Sequence, residues 1–239
     1  MRYALYYTAP HDDGLTRSGA AWLGRDAVSG VALPLPPIHG LTADRVAELT
    51  AEPRRYGFHA TLKPPFALAE GSTEAQLRQA FASFAARTAP FEIPGLAVSR
   101  LGSFLALTPV ASAPALDALA AGCVRAFEPF RAPLSDADIA RRRASGLSPR
   151  QDDYLRAWGY PYVFEDFRFH MTLSGRLEDP GEAAVLHVAA DRHFAALTGR
   201  PRTIDSLGLF VEPERGAPFR VLEILSLTGS ADAPVDSNA

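Results

Sequence analysis

Two stretches of this chain, Phe58-His59-Ala60-Thr61-Leu62 and Phe169-His170-Met171-Thr172-Leu173, repeat one pattern of apolar and polar positions 111 residues apart. Successive side chains of a strand point to opposite faces, so Tyr56, Phe58, Ala60 and Leu62 make an apolar face while Arg55, Gly57, His59, Thr61 and Lys63 share the other. The second stretch divides in the same way, with Phe167, Phe169, Met171 and Leu173 against Arg168, His170, Thr172 and Ser174. Half-buried strands are therefore expected from Arg55 to Lys63, stopped by Pro64-Pro65, and from Phe167 to Ser174.

The elements after each strand also repeat. A helix over 73–87 and strands near 91–99 and 103–110 succeed the first; a helix over 180–197 and strands over 203–211 and 219–227 succeed the second. A β-α-β-β unit present twice predicts an α+β fold: two pseudo-symmetric lobes of mainly antiparallel sheet, outer helices, and the paired motifs in a central cleft. Lobe one covers about 9–112 and lobe two about 113–229, with the strand expected at 2–8 able to join the second. Helical spacing also marks 15–28, 42–51 and the Ala/Leu-rich 113–128. Residues 130–165 read as a charged, aromatic-rich insertion carrying Arg141-Arg142-Arg143 and Trp158-Gly159-Tyr160-Pro161-Tyr162, and 230–239 as a disordered tail.

A lone strand histidine is more often a hydrogen-bonded structural residue than a catalyst, and threonine is a good strand former wherever it falls. Neither fact explains a shared offset. With six His and twelve Thr in 239 residues, chance supplies about 0.3 His-x-Thr occurrences, so two at matching places in matching units are a specific signal.

These residues resemble the 2H phosphoesterase superfamily, which is built on two His-x-Thr/Ser motifs. The flanks from Arg55 to Phe66 and from Arg168 to Leu177 look most like a bacterial branch found with genes for phosphonate catabolism. The resemblance covers the core of both lobes and implies a metal-independent phosphoesterase that needs no cofactor, with His59, Thr61, His170 and Thr172 as catalytic residues. The 130–165 insertion departs from the compact members that act on cyclic-phosphate RNA ends. Opening a cyclic phosphodiester needs a base to deprotonate water and an acid to protonate the leaving oxygen, and imidazole can do either near neutral pH. Each threonine hydroxyl can donate to a phosphate oxygen as charge builds there. Strand parity adds Arg55, Lys63 and Arg168 as phosphate-binding candidates, though any of them can equally be an ordinary solvated charge.

Composition bounds the alternatives. A net charge of −3 argues against a broad basic face for long nucleic acid, leaving a small phosphorylated sugar or nucleotide as the expected partner. No apolar run is long enough to span a membrane and the first residues lack a secretion signal, so a cytoplasmic, membrane-free location is expected. The one cysteine, Cys123, falls in a helical stretch where a small buried hydrophobe is expected. His11-Asp12-Asp13 has metal-ligand residue types but stands alone in a loop, so no metal site is assigned; separately, no glycines assemble a phosphate loop or dinucleotide fingerprint. Other readings are an RNA-end enzyme acting on 2′,3′-cyclic phosphates, a binder without turnover, and a metal-dependent hydrolase using the His11 cluster.

Overall fold

The opening strand β1 (Arg2–Tyr7) leads into helix α1 (Gly14–Leu23), started by Asp13, whose carboxylate accepts from the Leu15 N–H. Two short helices follow, α2 (Ala43–Leu49) and α3 (Ala51–Tyr56), before the first motif strand β2 (Ala60–Phe66). The computed structural model describes residues 1–230, so the tail expected to be disordered lies outside the described residues from 231 onward.

The first repeat continues as α4 (Glu74–Arg87), β3 (Phe91–Ile93), β4 (Leu96–Leu101) and β5 (Phe104–Pro109). Thr73 and Gln76 close a reciprocal capping box on α4, which buries Leu77, Phe81 and Ala85 at four-residue spacing. The strand expected over 91–99 is cut in two at Pro94-Gly95. Gly95 has φ 142°, and a Cβ there would sit 2.5 Å from the Arg200 carbonyl oxygen, so the break needs glycine.

Helix α5 (Pro114–Ala126) then leads to the insertion, whose regular parts are α6 (Asp136–Arg143) and α7 (Pro149–Trp158). The second repeat is β6 (Met171–Thr172), α8 (Pro180–Phe194), β7 (Arg202–Ile204), β8 (Ser206–Glu212) and β9 (Arg220–Ser226). Asp179 caps α8, Pro180 sits in its first turn, and Ala183, Leu186, Ala190 and Phe194 form its buried stripe. Each element of the first unit thus has its counterpart in the second.

Seven strands form one antiparallel sheet in the order β4-β5-β6-β2-β1-β8-β9, and β3 pairs with β7 in a second, two-stranded sheet. The fold is α+β, as the repeat predicts. Strand β1 is wedged between β2 and β8, so the repeat is not an exact one. The helices cross over: α4 packs on β8 and β9, and α8 packs on β4. Tyr3, Leu5, Tyr7, Ala60, Leu62 and Met171 enter the main core, while Ala4, Tyr6, Phe210 and Phe219 make a smaller apolar cluster. Cys123 is fully buried in the main core, and burial pushes its thiol up. Among the described residues no helix is long and apolar enough to cross a membrane.

Three local departures from simple strand reading bear on the site. The strand expected from Arg55 starts only at Ala60, because 51–56 close a helical turn that ends at Gly57 with φ 81°, where a Cβ would lie 2.5 Å from that of Ala27. The same strand runs through Pro64-Pro65 to Phe66 instead of stopping there. Its partner β6 is two residues long, so the prolines sit where that edge of β2 has no ladder partner. Finally, the β1–β2 register slips between Tyr6–Thr61 and Leu5–Lys63. That bulge breaks the alternation, so Lys63 turns toward α5, donating to the Val124 carbonyl at 3.0 Å and pairing with Glu128 at 2.8 Å. Burial pushes its ammonium down, against the upward pull of Glu128.

Lys63 is therefore a structural ion-pair residue, 1% exposed, rather than a cleft cation. Lys63→Met keeps the stem and removes the charge, while Glu128 keeps Arg131 at 2.6 Å. The expected loss is about 1–3 kcal/mol of unfolding free energy, read from urea denaturation. An unchanged midpoint would contradict the assignment.

Candidate active site

Strands β2 and β6 meet at one paired position, Ala60 against Met171. Both are fully buried. In an antiparallel ladder the residues flanking a pair also face each other and point to the opposite side of the sheet. Continuing the register one step sets His59 across from Thr172 and Thr61 across from His170. The four motif side chains thus form one block on a single face, each histidine beside the other motif's threonine, and all four are partly exposed.

Both imidazoles are held in the same way. Nδ1 of His59 lies 2.8 Å from the Gly57 carbonyl oxygen, and Nδ1 of His170 lies 2.7 Å from that of Arg168, two residues back in each case. A carbonyl only accepts, so Nδ1 must carry the proton, which leaves Nε2 of each neutral ring with its lone pair outward. Nε2 of His59 accepts from the Thr61 hydroxyl at 3.2 Å. Gly57 serves twice here, since its left-handed turn ends α3 and its carbonyl orients the ring.

An aromatic backs each histidine. Tyr6, opposite Thr61 on β1, stacks on His59 with centroids 3.8 Å apart, and Phe104 lies 5.7 Å from His170. Burial pulls the His59 pKa down to about 4, with the Gly57 hydrogen bond acting upward and the facing His170 adding a further downward push. His59 is thus set to be neutral over the physiological range.

The face opens into a cavity of about 480 Å³ whose wall includes Tyr6, His59, Thr61, Phe104 and Thr172. His170 touches this wall through Phe104 instead of forming part of it. The space exceeds a single phosphate and suits a sugar phosphate or mononucleotide. A pair of outward Nε2 atoms with two hydroxyls can take a proton at one end of a phosphate group, return one at the other, and donate hydrogen bonds between.

The three expected phosphate-binding cations lie elsewhere. Arg55, on α3, pairs with the fully buried Glu212 at 3.0 Å and donates to the Tyr56 hydroxyl at 2.6 Å. Lys63 faces α5 and Glu128. Arg168 is exposed and turns back to donate to the Phe167 and Glu165 carbonyls, since only Met171 and Thr172 of the expected strand are laddered and parity does not reach it. Asp13 of the His11 cluster caps α1 and pairs with Arg202, while His11 bonds Asp26. Strand reading did not single out Tyr6, because nothing in the sequence says that β1 lies beside β2. Arg2, Arg142 and Tyr160 also line the cavity, and only the composition of the insertion pointed toward the last two.

Two curated relatives match nearly the whole chain. Both are named ribose 1,5-bisphosphate phosphokinase PhnN: one from Janthinobacterium sp. (strain Marseille), 39% identical over 97% of this chain, and one from Laribacter hongkongensis (strain HLHK9), 40% identical over 95%. The chain spans about half the length of each, 52%. Among solved structures, TT0787 of Thermus thermophilus aligns over 96% of this chain and 99% of its own, at 16% identity and a TM-score of 0.46. E. coli LigT complexed with 3′-AMP aligns over 95% and 98%, at 14% identity and a TM-score of 0.41. A family model described as "Protein of unknown function (DUF1045)" matches residues 61–220, which hold the second motif entire and Thr61 of the first, and the chain belongs to that family.

Proposed function

We propose that this chain is a two-histidine phosphoesterase that hydrolyses a small cyclic phosphodiester of a sugar or nucleotide without a metal. The observation that carries the reading is the register of β2 against β6, which brings two His-x-Thr motifs onto one face with both Nδ1 atoms tied to carbonyls. His59, neutral under Tyr6, takes a proton from water through Nε2 as the water oxygen attacks phosphorus. The bond from phosphorus to the leaving sugar oxygen breaks, and His170 gives that oxygen a proton from Nε2. Thr172, and Thr61 once its hydroxyl turns from Nε2 of His59 and leaves that atom to the water, donate to the non-bridging oxygens as negative charge grows on them. The product is a phosphomonoester beside a free hydroxyl.

The relatives' name supports a ribose phosphate, and with it the expected link to phosphonate breakdown. Hydrolysis of a cyclic phosphate on a ribose that already bears a phosphate leaves a ribose bisphosphate, the class of compound in that name. The kinase activity in the same name has no seat in this chain. The only lysine is buried in an ion pair, and no glycine-rich phosphate loop is present. We assign that activity to the half of the relatives that this chain does not cover.

Turnover is measured with chelator present on 2′,3′-cyclic nucleotides and cyclic ribose phosphates. His59→Ala and His170→Ala are each expected to lower kcat by about 10²–10⁴-fold. Full turnover in both variants would sink the mechanism, and saturable binding without turnover in the wild type would make the protein a sensor. A steep loss of activity with salt would favour an RNA-end substrate over a monomeric one.

The pH profile tests the assignment of the base. A neutral His59 is required, and its pKa lies at about 4, below the ordinary 6.5 of imidazole, so kcat/KM should hold as pH falls through 6.5 and drop only toward 4. An acid limb near 6.5 would exclude His59 as the base. Between those two values the unfolded chain binds the His59 proton and the folded one does not, so this residue's contribution to stability weakens as pH falls from 6.5 toward 4.

A further inference from the structure

The arginines of α6 and α7 are nearly all spoken for. Arg141 pairs with Asp138 at 2.6 Å, Arg143 with Asp152 at 2.6 Å, Arg150 with Asp166 at 3.0 Å and Arg156 with Asp152 at 2.8 Å. Arg142 is the exception. It is half-buried between exposed neighbours, and its Nε is buried without any hydrogen-bond partner. Among the described residues no carboxylate pairs with its guanidinium, which lies over the Tyr160 ring at 5.0 Å.

A guanidinium cannot shed its charge, and a buried donor left unsatisfied destabilises the fold. With no carboxylate to balance it, the charge of this guanidinium is left for an anion in the cavity that Arg142 lines. Arg142 and Tyr160 line the same cavity as His59, Thr61 and Thr172. Arg2 is in that wall too, held at 2.5 Å by Glu212, but Glu212 also serves Arg55, so one carboxylate answers two arginines and this end of the cavity stays positive. Glu52 is the acidic side chain of the wall, and Arg176, the remaining cation there, is exposed beside Glu178.

We infer that Arg142, backed by Tyr160 and with Arg2 beside it, binds a second, non-reacting phosphate of the substrate, so that the preferred substrate is a cyclic phosphodiester that also carries a phosphomonoester. This rests on the two-histidine reading and names the substrate class for it. The insertion then acts as a specificity element. It reads the far end of a molecule whose near end sits at the histidines, and a cavity of about 480 Å³ has room for both.

The test pairs two substrates that differ only in that phosphate, ribose 1,2-cyclic phosphate with and without a 5-phosphate, on wild type, Arg142→Met and Arg142→Lys. Wild type should prefer the phosphorylated member in kcat/KM. Arg142→Met should shrink that preference by about ten- to a hundredfold, with Arg142→Lys restoring part of it. No preference in the wild type, or equal loss on both substrates in the variant, would overturn the inference. Calorimetric binding of ribose 5-phosphate, which has no cyclic diester to open, separates this from failure of the catalytic reading. Binding that weakens in Arg142→Met without turnover of either substrate would uphold the subsite and remove the mechanism, whereas turnover with binding indifferent to Arg142 would do the reverse. Thermal melting of each variant confirms that folded protein is compared.

Discussion

One pair of residues, Ala60 against Met171, sets the relation between everything that matters in the cleft. Both are apolar and fully buried, so the sheet cannot slide there without moving a whole face of β2 and β6 from core to cavity. Strand β6 is only two residues long and is held from both sides, by β2 and by β5. Its placement is thus overdetermined by neighbours, which is how so short a strand can hold the two motifs in register. The next side chains outward in either direction are the two histidines and the two threonines.

The rings also have to be turned correctly. Each imidazole is anchored by the carbonyl two residues before it, a contact the backbone supplies from within the motif itself. The surroundings then differ. His59 lies under Tyr6, which belongs to the smaller apolar cluster with Phe210 and Phe219, while His170 rests against Phe104. Identical anchoring thus leaves two rings of one repeated motif in unlike surroundings.

The repeated unit, the order of its elements, the apolar faces of both motif strands and the α+β class were all legible from residue periodicity. Side-chain alternation identifies a face only while the strand is regular, and each cation assigned by parity fails at a different irregularity. Arg55 falls in a helical turn, Lys63 beyond a bulge, and Arg168 where the ladder has not yet begun. Tyr6 was illegible because its role depends on strand order, which is a long-range property. Arg142 sits in a run of three residues identical in type, and its burial and the pairing of its neighbours with carboxylates set it apart.

The crossing of the two helices carries a consequence for the chain as a whole. Because α4 covers β8 and β9 while α8 covers β4, neither half could bury its own apolar surface if it were cut free. Two separate half-chains would have to find each other before either had a core or a complete pair of motifs, and the site would then exist only at concentrations above their dissociation constant. Covalent joining through α5 and the insertion replaces that encounter with a fixed local concentration, so the cleft is as available in dilute solution as in concentrated.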